Sequence, residues 1–356
     1  MSNINSYIAS KKERIGLFSP YNELDALVFA RVSYLPLHKI RLKKNETVGS
    51  ICRKLSEKLE RKDYAWPDDY DYVEALKNTP RFSKKKVTNY VRRNSTSLEK
   101  QFSALTIHLS PLKMYVSFFG TDDSLTGWKE DFNLAFLDHI PAQTEAKKYF
   151  KKVSKKYFLK KVYLGGHSKG GNLAIYAAIV SPDALQKRIK KVYNYDGPGL
   201  RKGTMALDTG SEKVTKKIQS IIPQGSVIGR LFEHNEEIKV VKSNAKRLYQ
   251  HDIYTWEISG DSFVESKNTK RSDIVDKTIT TWLERASKAE RKVFINVIFE
   301  ALSDADVNNP LELKSKWLRV MQVGLKTYVN LPKEDRKTIF EVWKKLGSSF
   351  MKARKE

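Results

Sequence analysis

One stretch narrows the possible folds more than any other: Val162-Tyr163-Leu164-Gly165-Gly166-His167-Ser168-Lys169-Gly170-Gly171-Asn172, an apolar run that breaks into Gly-x-Ser-x-Gly. The run reads as a buried strand, and Leu173, Ala174, Ala177, Ala178 and Val180 read as a helix that Ser181-Pro182 stops. Ser168 then sits on a strained strand-to-helix turn, a nucleophile elbow. Gly166 and Gly170, two residues either side, stand where a side chain would collide with neighbouring backbone. The helix N-terminus points its dipole and N–H groups at the same spot, which favours a developing oxyanion. Such a turn can also be a glycine-rich connection that binds nothing, or a phosphate loop. A phosphate loop requires Gly-Lys-Ser/Thr after its glycines, and here the lysine is misplaced.

Around the elbow the hydrophobic period changes twice. Leu24, Leu27, Val28, Val32 and Leu35 predict a buried helix over about Tyr21 to Leu37 with Asn22 as its cap, and a second helix is expected from Asp68 to Lys77. From Phe102 the period is two: Ala104–Leu109 and Met114–Phe119, split by Ser110-Pro111, read as neighbouring strands. An acidic, aromatic segment runs from Asp122 to Asp138, and a helix with Ala146, Phe150 and Val153 inward spans Ala142 to Tyr157. Strand, helix, elbow strand and elbow helix make a βαβα run, so the expected class is α/β, a mostly parallel sheet with helices on both faces. Further strands are expected at Val192–Tyr195, Ile218–Ile222 and Ile238–Val241. Beyond Ser266 the pattern is helical again. Ser287 to Glu290 reads as a capping box, Pro310 as a first helical turn and Gly347 as a helix stop. The expected organisation is a helical segment over 1–100, an α/β core over 101–265 and a helical segment over 266–356.

With 66 Lys plus Arg against 41 Asp plus Glu, the formal charge of the 356 residues is +25. Such a balance favours anionic membranes, nucleic acid or anionic substrates. The lysines are spread along the chain on the polar sides of helical patterns, and no finger, RRM-like or helix-turn-helix signature accompanies them. A nucleic-acid role is therefore disfavoured. The single cysteine, Cys52, cannot form an intrachain disulfide. The first residues lack an apolar core and no apolar run approaches bilayer length, so the expected location is the cytoplasm.

A serine hydroxyl needs a base to take its proton and an acid to orient that base. Of six histidines only His234 and His251 follow Ser168. His251 lies after the last expected strand, where such a base belongs, and His234 precedes it; His167 is expected to point beneath the turn. Asp196 ends the strand next to the elbow unit, before the sharp Gly197-Pro198-Gly199 turn, and is the expected acid; its other reading is an Asx-turn cap. Asp252 is too close in sequence to reach the ring of His251. An oxyanion hole takes one N–H after the nucleophile, that of Lys169, and one from an earlier strand end, for which Thr121 after Gly120 is the candidate, its hydroxyl a further donor. The Lys169 side chain could pair with Asp131 or lie at the surface.

At these residues the chain resembles the class 3, fungal-type lipases of the α/β-hydrolases: Phe118-Phe119-Gly120-Thr121 matches their oxyanion strand, followed by Gly127-Trp128 and Asp131. More closely it resembles a bacterial, lipase-like family of unknown function. That pattern appears as Asn22-Glu23-Leu24-Asp25-Ala26-Leu27 with Ser33-Tyr34-Leu35, Gly120-Thr121-Asp122-Asp123, Gly127–Phe132, Gly165–Ala174, Tyr195–Gly199 and Gln250-His251-Asp252, spanning most of the chain up to Trp256. Two positions depart from the lipases. Phe119 replaces their arginine, and Ser226 stands where they place the catalytic aspartate, so that Asp196, one strand earlier, becomes the acid and Ser226 is expected to matter little. The resemblance implies an α/β-hydrolase fold and an ester-hydrolysing serine site, Ser168 with Asp196 and His251, that needs no metal or organic cofactor. The expected substrate is a small-molecule or lipid ester, and peripheral contact with an anionic membrane is a further expectation for the basic C-terminal residues. The competing readings are a catalytically silent scaffold that binds an acyl ligand or a protein partner, and a basic protein associated with membranes or nucleic acid.

Overall fold

The computed structural model describes residues 2–355 apart from 45, 65, 96, 98, 122–124, 202–211 and 308–311. Helix α1 covers Ile4–Ser10, α2 Glu23–Val32, α3 Val48–Lys58 and α4 Asp68–Leu76. Strand β1 spans Lys86–Ser95, β2 Lys100–Ser110 and β3 Lys113–Phe118; α5 is Leu125–Asn133 and α6 Pro141–Lys156. The elbow strand β4 is Lys161–His167 and its helix α7 Lys169–Ile179, followed by α8 Asp183–Gln186, β5 Ile189–Tyr195, α9 Glu212–Thr215, β6 Ile218–Pro223 and β7 Glu237–Val241. A two-stranded ribbon, β8 Ile258–Ser259 with β9 Ser262–Phe263, precedes four helices: α10 Lys270–Arg285, α11 Lys288–Asp304, α12 Glu312–Asn330 and α13 Lys333–Lys355.

Seven strands form one sheet in the order β1-β2-β3-β4-β5-β6-β7. β2 and β3, the neighbouring strands expected from the alternating pattern, form an antiparallel hairpin, and β3 to β7 run parallel. Hydrogen bonds from Thr88 to His108 and from Ser103 to Val91 run β1 antiparallel to β2. Parallel strands in consecutive order, joined by right-handed crossovers, put their connections on one face. The other face is covered by α2, whose residues from Leu24 to Val32 are all buried. The pleat assigns each side chain its face. Tyr115 packs on Phe29 of α2, Ser117 donates to the Ala30 carbonyl at 3.2 Å, and Tyr163 packs on Tyr21 just before α2, their rings 4.7 Å apart. Phe118, Gly166 and Asn194, in the alternate register, face the elbow helix.

α2 starts at a reciprocal cap, Asn22 accepting from the Asp25 N–H at 2.9 Å and Asp25 accepting from the Asn22 N–H at 3.1 Å. It stops at Val32, short of Leu37, where the Ser33 hydroxyl bonds back to the Ala30 carbonyl at 2.8 Å. Several elements escaped the sequence reading, β1 and α3 among them. β1 is an edge strand, half exposed over most of its length, so it lacks an apolar face; α3 buries only Val48, Gly49, Ile51, Cys52 and Leu55 of its eleven residues. Gly347 is no helix stop: it lies inside α13, exposed, where an added Cβ would meet nothing within 4 Å. Pro310 lies outside the described residues.

The chain divides into two compact units, Met1–Arg93, Phe102–Gly120 and Ala142–Thr269 in one, and Asn94–Gln101, Thr121–Pro141 and Lys270–Glu356 in the other. The N-terminal helices and the sheet thus share the first unit, whereas the 121–141 segment goes with the C-terminal helices. In the second unit Trp282, Phe294, Ile339 and Val342 form the core, and Phe132 of α5 meets Phe299 of α11 at 5.4 Å. The predicted cap of α11 is present: Ser287 accepts from the Glu290 N–H at 3.2 Å and Glu290 from the Ser287 N–H at 2.7 Å.

Candidate active site

In an open α/β sheet, ligands bind outside the carboxyl ends of the parallel strands. The pairing of His167 with Tyr195 and of Tyr195 with Ile221 sets the ends of β4, β5 and β6 level. The residues that follow β4 and β5 are Ser168 and Asp196. Ser168 has φ 55° and ψ −136°, a conformation side chains rarely adopt. It is held there by its N–H, which donates to the Tyr195 carbonyl at 2.9 Å, and by its carbonyl, which accepts from the Gly171 N–H at 2.9 Å. A Cβ on Gly166 or on Gly170 would overlap the Phe118 carbonyl, so strand and helix close on the turn only because both are glycine. Ser168 is partly exposed between the buried stretches Leu164–His167 and Lys169–Ile175.

Asp196 is the second strained residue, with φ 49°. It is fully buried, and its N–H donates to the Ile221 carbonyl at 2.9 Å. One carboxylate oxygen, Oδ2, lies 2.7 Å from His251 Nδ1. The other, Oδ1, accepts from the Ser226 hydroxyl at 2.5 Å, and Ser226 Oγ in turn accepts from the Gly229 N–H at 3.1 Å. Both oxygens are occupied by side chains, which fixes the plane of the carboxylate. Ser226, expected to matter little, is therefore part of the arrangement: in the place where lipases carry the aspartate, it supports an aspartate one strand away.

His251 closes a single 3₁₀ turn, Arg247–His251, after β7. Its neighbour Gln250 anchors that turn by accepting from the Gly225 N–H at 2.7 Å and donating to the Ala245 carbonyl at 3.1 Å, while Trp256 Nε1 donates to the Gln250 carbonyl at 2.8 Å. With Nδ1 directed at Asp196, Nε2 is the ring atom left for proton transfer. His167 is buried beneath the turn as expected, its ring 4.4 Å from that of His251, and its Nε2–H donates to the His251 carbonyl at 2.8 Å. Burial, then His251 and Arg31, push His167 well below the ordinary histidine range, so the ring is neutral. Its Nδ1 has no hydrogen-bond partner among the described residues.

The other candidates are engaged elsewhere. His234 Nδ1 pairs with Glu236 at 2.7 Å. The Asp252 carboxylate accepts from the Tyr254 N–H at 3.0 Å, and burial pushes its pKa up to about 6. Lys169 is buried and opens α7, so its N–H is one of the first-turn donors. Thr121 belongs to the second compact unit, where its hydroxyl donates to the Asp131 carboxylate. Phe119, in place of the lipase arginine, packs on Tyr34 at 4.6 Å. Asp122 and Asp123 and the side chain of Trp128 lie outside the described residues.

Residues that the sequence reading did not assign hold the acid in place. Asn172 Nδ2 donates to the carbonyls of Gly199 at 2.7 Å and Pro198 at 3.2 Å, while Gln143 Nε2 donates to its Oδ1 at 2.8 Å. Asn194 closes the turn on itself, accepting from the Gly197 N–H at 2.9 Å and donating to the Gly197 carbonyl at 2.8 Å. Asn194 is a polar residue in a buried strand, which is the signal that could have found it. Beneath His167, Tyr34 donates to the His167 carbonyl at 2.8 Å, and Arg31 stacks on Tyr34 while binding Asp69 through two hydrogen bonds of 2.6 and 2.7 Å.

No curated protein matches the chain. Among solved structures it is similar to the Lip2 lipase from Yarrowia lipolytica, at 14% identity over 48% of this chain and 68% of that one, with a TM-score of 0.32. The model of the Mbeg1-like family matches residues 76–300, more than half of the chain and the whole of β1 to β7 with the elbow, Asp196 and His251. With its mostly parallel sheet and the strained serine between strand and helix, the chain belongs to the Mbeg1-like family, a lipase-like family on an α/β-hydrolase scaffold.

Proposed function

We propose that the chain is a serine hydrolase that cleaves a carboxylic ester, of a lipid or an acylated metabolite, through an acyl-enzyme on Ser168. The observation that carries this reading is the 2.7 Å bond between His251 Nδ1 and a fully buried Asp196, at the same strand ends as the strained Ser168. In the first step Ser168 Oγ attacks the ester carbonyl as His251 Nε2 takes its proton, and Asp196 stabilises the imidazolium. The Lys169 N–H, at the N-terminus of α7, bonds the oxyanion. His251 returns the proton to the leaving alcohol; a water deprotonated by the same base then releases the acid and restores Ser168. His167, neutral and bonded to the His251 carbonyl, places the base without competing for the proton.

Labelling with a fluorophosphonate tests the reading, because it requires an activated serine. The native chain should label at one site and turn over a p-nitrophenyl ester, and Ser168→Ala should lose both while keeping its melting temperature. Stoichiometric labelling of Ser168→Ala would mean that another serine is the activated one and would overturn the reading, whereas an unlabelled native chain would support a silent acyl-binding scaffold.

Peripheral contact with an anionic membrane is proposed for α13, which exposes Phe340, Trp343 and Met351 and ends in Lys352, Arg354 and Lys355. Removal of the residues after Gly347 should weaken sedimentation with anionic vesicles and lower activity on vesicle-borne lipid, but not on a soluble short-chain ester. Equal loss on both substrates would remove α13 from that role. No helix among the described residues is long and apolar enough to cross a membrane.

A further inference from the structure

We propose that a cavity at the opposite end of the sheet binds a phosphorylated ligand with an apolar part. The cavity, about 440 Å³, lies between the start of β1, the loop before α3 and the end of α6. Leu42, Ile51 and Val87 supply apolar lining, and Lys43, Lys44, Lys86 and Lys156 supply four cations. Among the described residues Lys43, Lys44, Lys86 and Lys156 make no ion pair; Lys156 reaches the amide oxygen of Asn89 at 3.1 Å and lies 5.3 Å from the centroid of the Tyr157 ring. The one carboxylate of the lining, Glu46, is already satisfied. It accepts from Lys54, from the Ser50 hydroxyl and, at 3.1 Å, from the Lys43 N–H; although burial opposes it, these bonds hold Glu46 below the usual carboxylate range.

Exposed lysines around one half-open cavity leave a positive potential there. His108 stands beside these lysines. The ring touches the Thr88 hydroxyl at 2.9 Å, and burial together with Lys160, Lys86 and Lys156 pushes its pKa down to about 4. The polar wall is built from Thr88, Asn89 and Tyr157: Asn89 Nδ2 donates to Thr88 Oγ1 at 2.9 Å and to the Tyr157 hydroxyl at 3.2 Å. Asn89 has φ 54° within a strand, a strained conformation that these bonds hold in place. Ammonium groups around one polar-walled space match the oxygens of a phosphomonoester, whose two negative charges offset those of two lysines. The apolar lining takes a short chain or an aliphatic moiety. Because the cavity lies at the far end of the strands, this binding is independent of the proposed ester hydrolysis.

Calorimetric titration of the full chain with octyl phosphate, below its micelle concentration, tests the site. One saturable event is expected, absent with octyl glucoside and weaker with inorganic phosphate. The variant Lys43→Ala/Lys86→Ala/Lys156→Ala should bind at least about tenfold more weakly, whereas Lys147→Ala/Lys148→Ala/Lys151→Ala, which removes the same charge from the exposed side of α6, should bind as the native chain does. Should the triple variant fail to fold, Asn89→Asp, which tolerates the same backbone conformation, should also weaken binding about tenfold. Sedimentation with phosphatidylcholine vesicles containing phosphatidic acid, lost in the first triple variant, would assign the phosphate to a lipid headgroup; saturable binding of glycerol 3-phosphate without vesicle binding would assign it to a soluble metabolite. No saturable heat with octyl phosphate, or equal weakening in the two lysine variants, would overturn the site.

Discussion

The two ends of the parallel sheet treat charge in opposite ways. At the carboxyl ends of β4 to β6 the buried Asp196 has a side-chain partner on each oxygen, His251 on one and Ser226 on the other, and its neighbours Ser168 and His167 are tied to the same turns. At the amino ends, lysines gather around Thr88 and Asn89, and the lining carboxylate Glu46 is already paired with Lys54. Both ends contain a strained non-glycine residue beside polar side chains, Ser168 and Asp196 at one and Asn89 at the other. The difference teaches how to read such strain. Where charges are paired and hydrogen bonds are saturated, the strain fits the proposed proton transfer; where charges are left unpaired, it fits the proposed receptor for an ion of opposite sign.

The largest effect should come from the acid. Asp196→Asn leaves the shape of the turn but presents the wrong partner to His251, and turnover of a p-nitrophenyl ester should fall by about ten-thousand-fold, the loss seen when a triad carboxylate is amidated in a well-studied protease. A folded Asp196→Asn chain with near-native rates would break the comparison at the carboxyl end. Ser226→Ala removes one charge-assisted hydrogen bond from Asp196, about 1.5–3 kcal/mol, so kcat should drop by about ten- to a hundredfold, with KM little changed. An unchanged rate would mean that His251 alone orients the carboxylate.

The smallest effect separates the two ends through their histidines. His167 and His108 are both held below the histidine reference of 6.5, and for both the first cause is burial. Below about pH 6.5 the unfolded chain takes a proton at each position that the folded chain refuses, so each lowers stability as the pH falls; His108 stops doing so near pH 4, where the folded chain also binds the proton. His108→Gln should therefore soften the fall in melting temperature between pH 6.5 and 4. In an imidazole titration by NMR, salt should raise the His108 midpoint, because part of its shift comes from lysines that salt screens, and should leave His167 uncharged throughout that range. A His108 midpoint at the ordinary value would deny the positive potential at the amino end.

Much of this was legible in the chain because it rests on local rules. The apolar run, the paired glycines and the helix behind them announce the elbow; the order of Asp196 and His251 after Ser168 proposes the pairing that appears at 2.7 Å; Asn22 and Ser287 mark their helix starts. The failures have physical causes. β1 was missed because an edge strand needs no apolar face, and Gly347 misled because a helix packed on one side tolerates glycine on its exposed side. Ser226 looked like a lost catalytic residue, since its role depends on a 2.5 Å bond to a residue thirty positions earlier.

By itself the sequence determined the local turns, the alternation of strand and helix, and the identity of the nucleophile, acid and base candidates, all of which follow from neighbouring residues along the chain. The tertiary structure decided which oxygen of Asp196 meets His251 and which meets Ser226, that the ring of His167 packs against that of His251, that the Thr121 hydroxyl goes to Asp131, and that lysines from the loop before α3, from β1 and from α6 line one cavity. These depend on strand register and on contacts between segments far apart in sequence, and a hydrogen bond or a potential exists only once that register has set the distances.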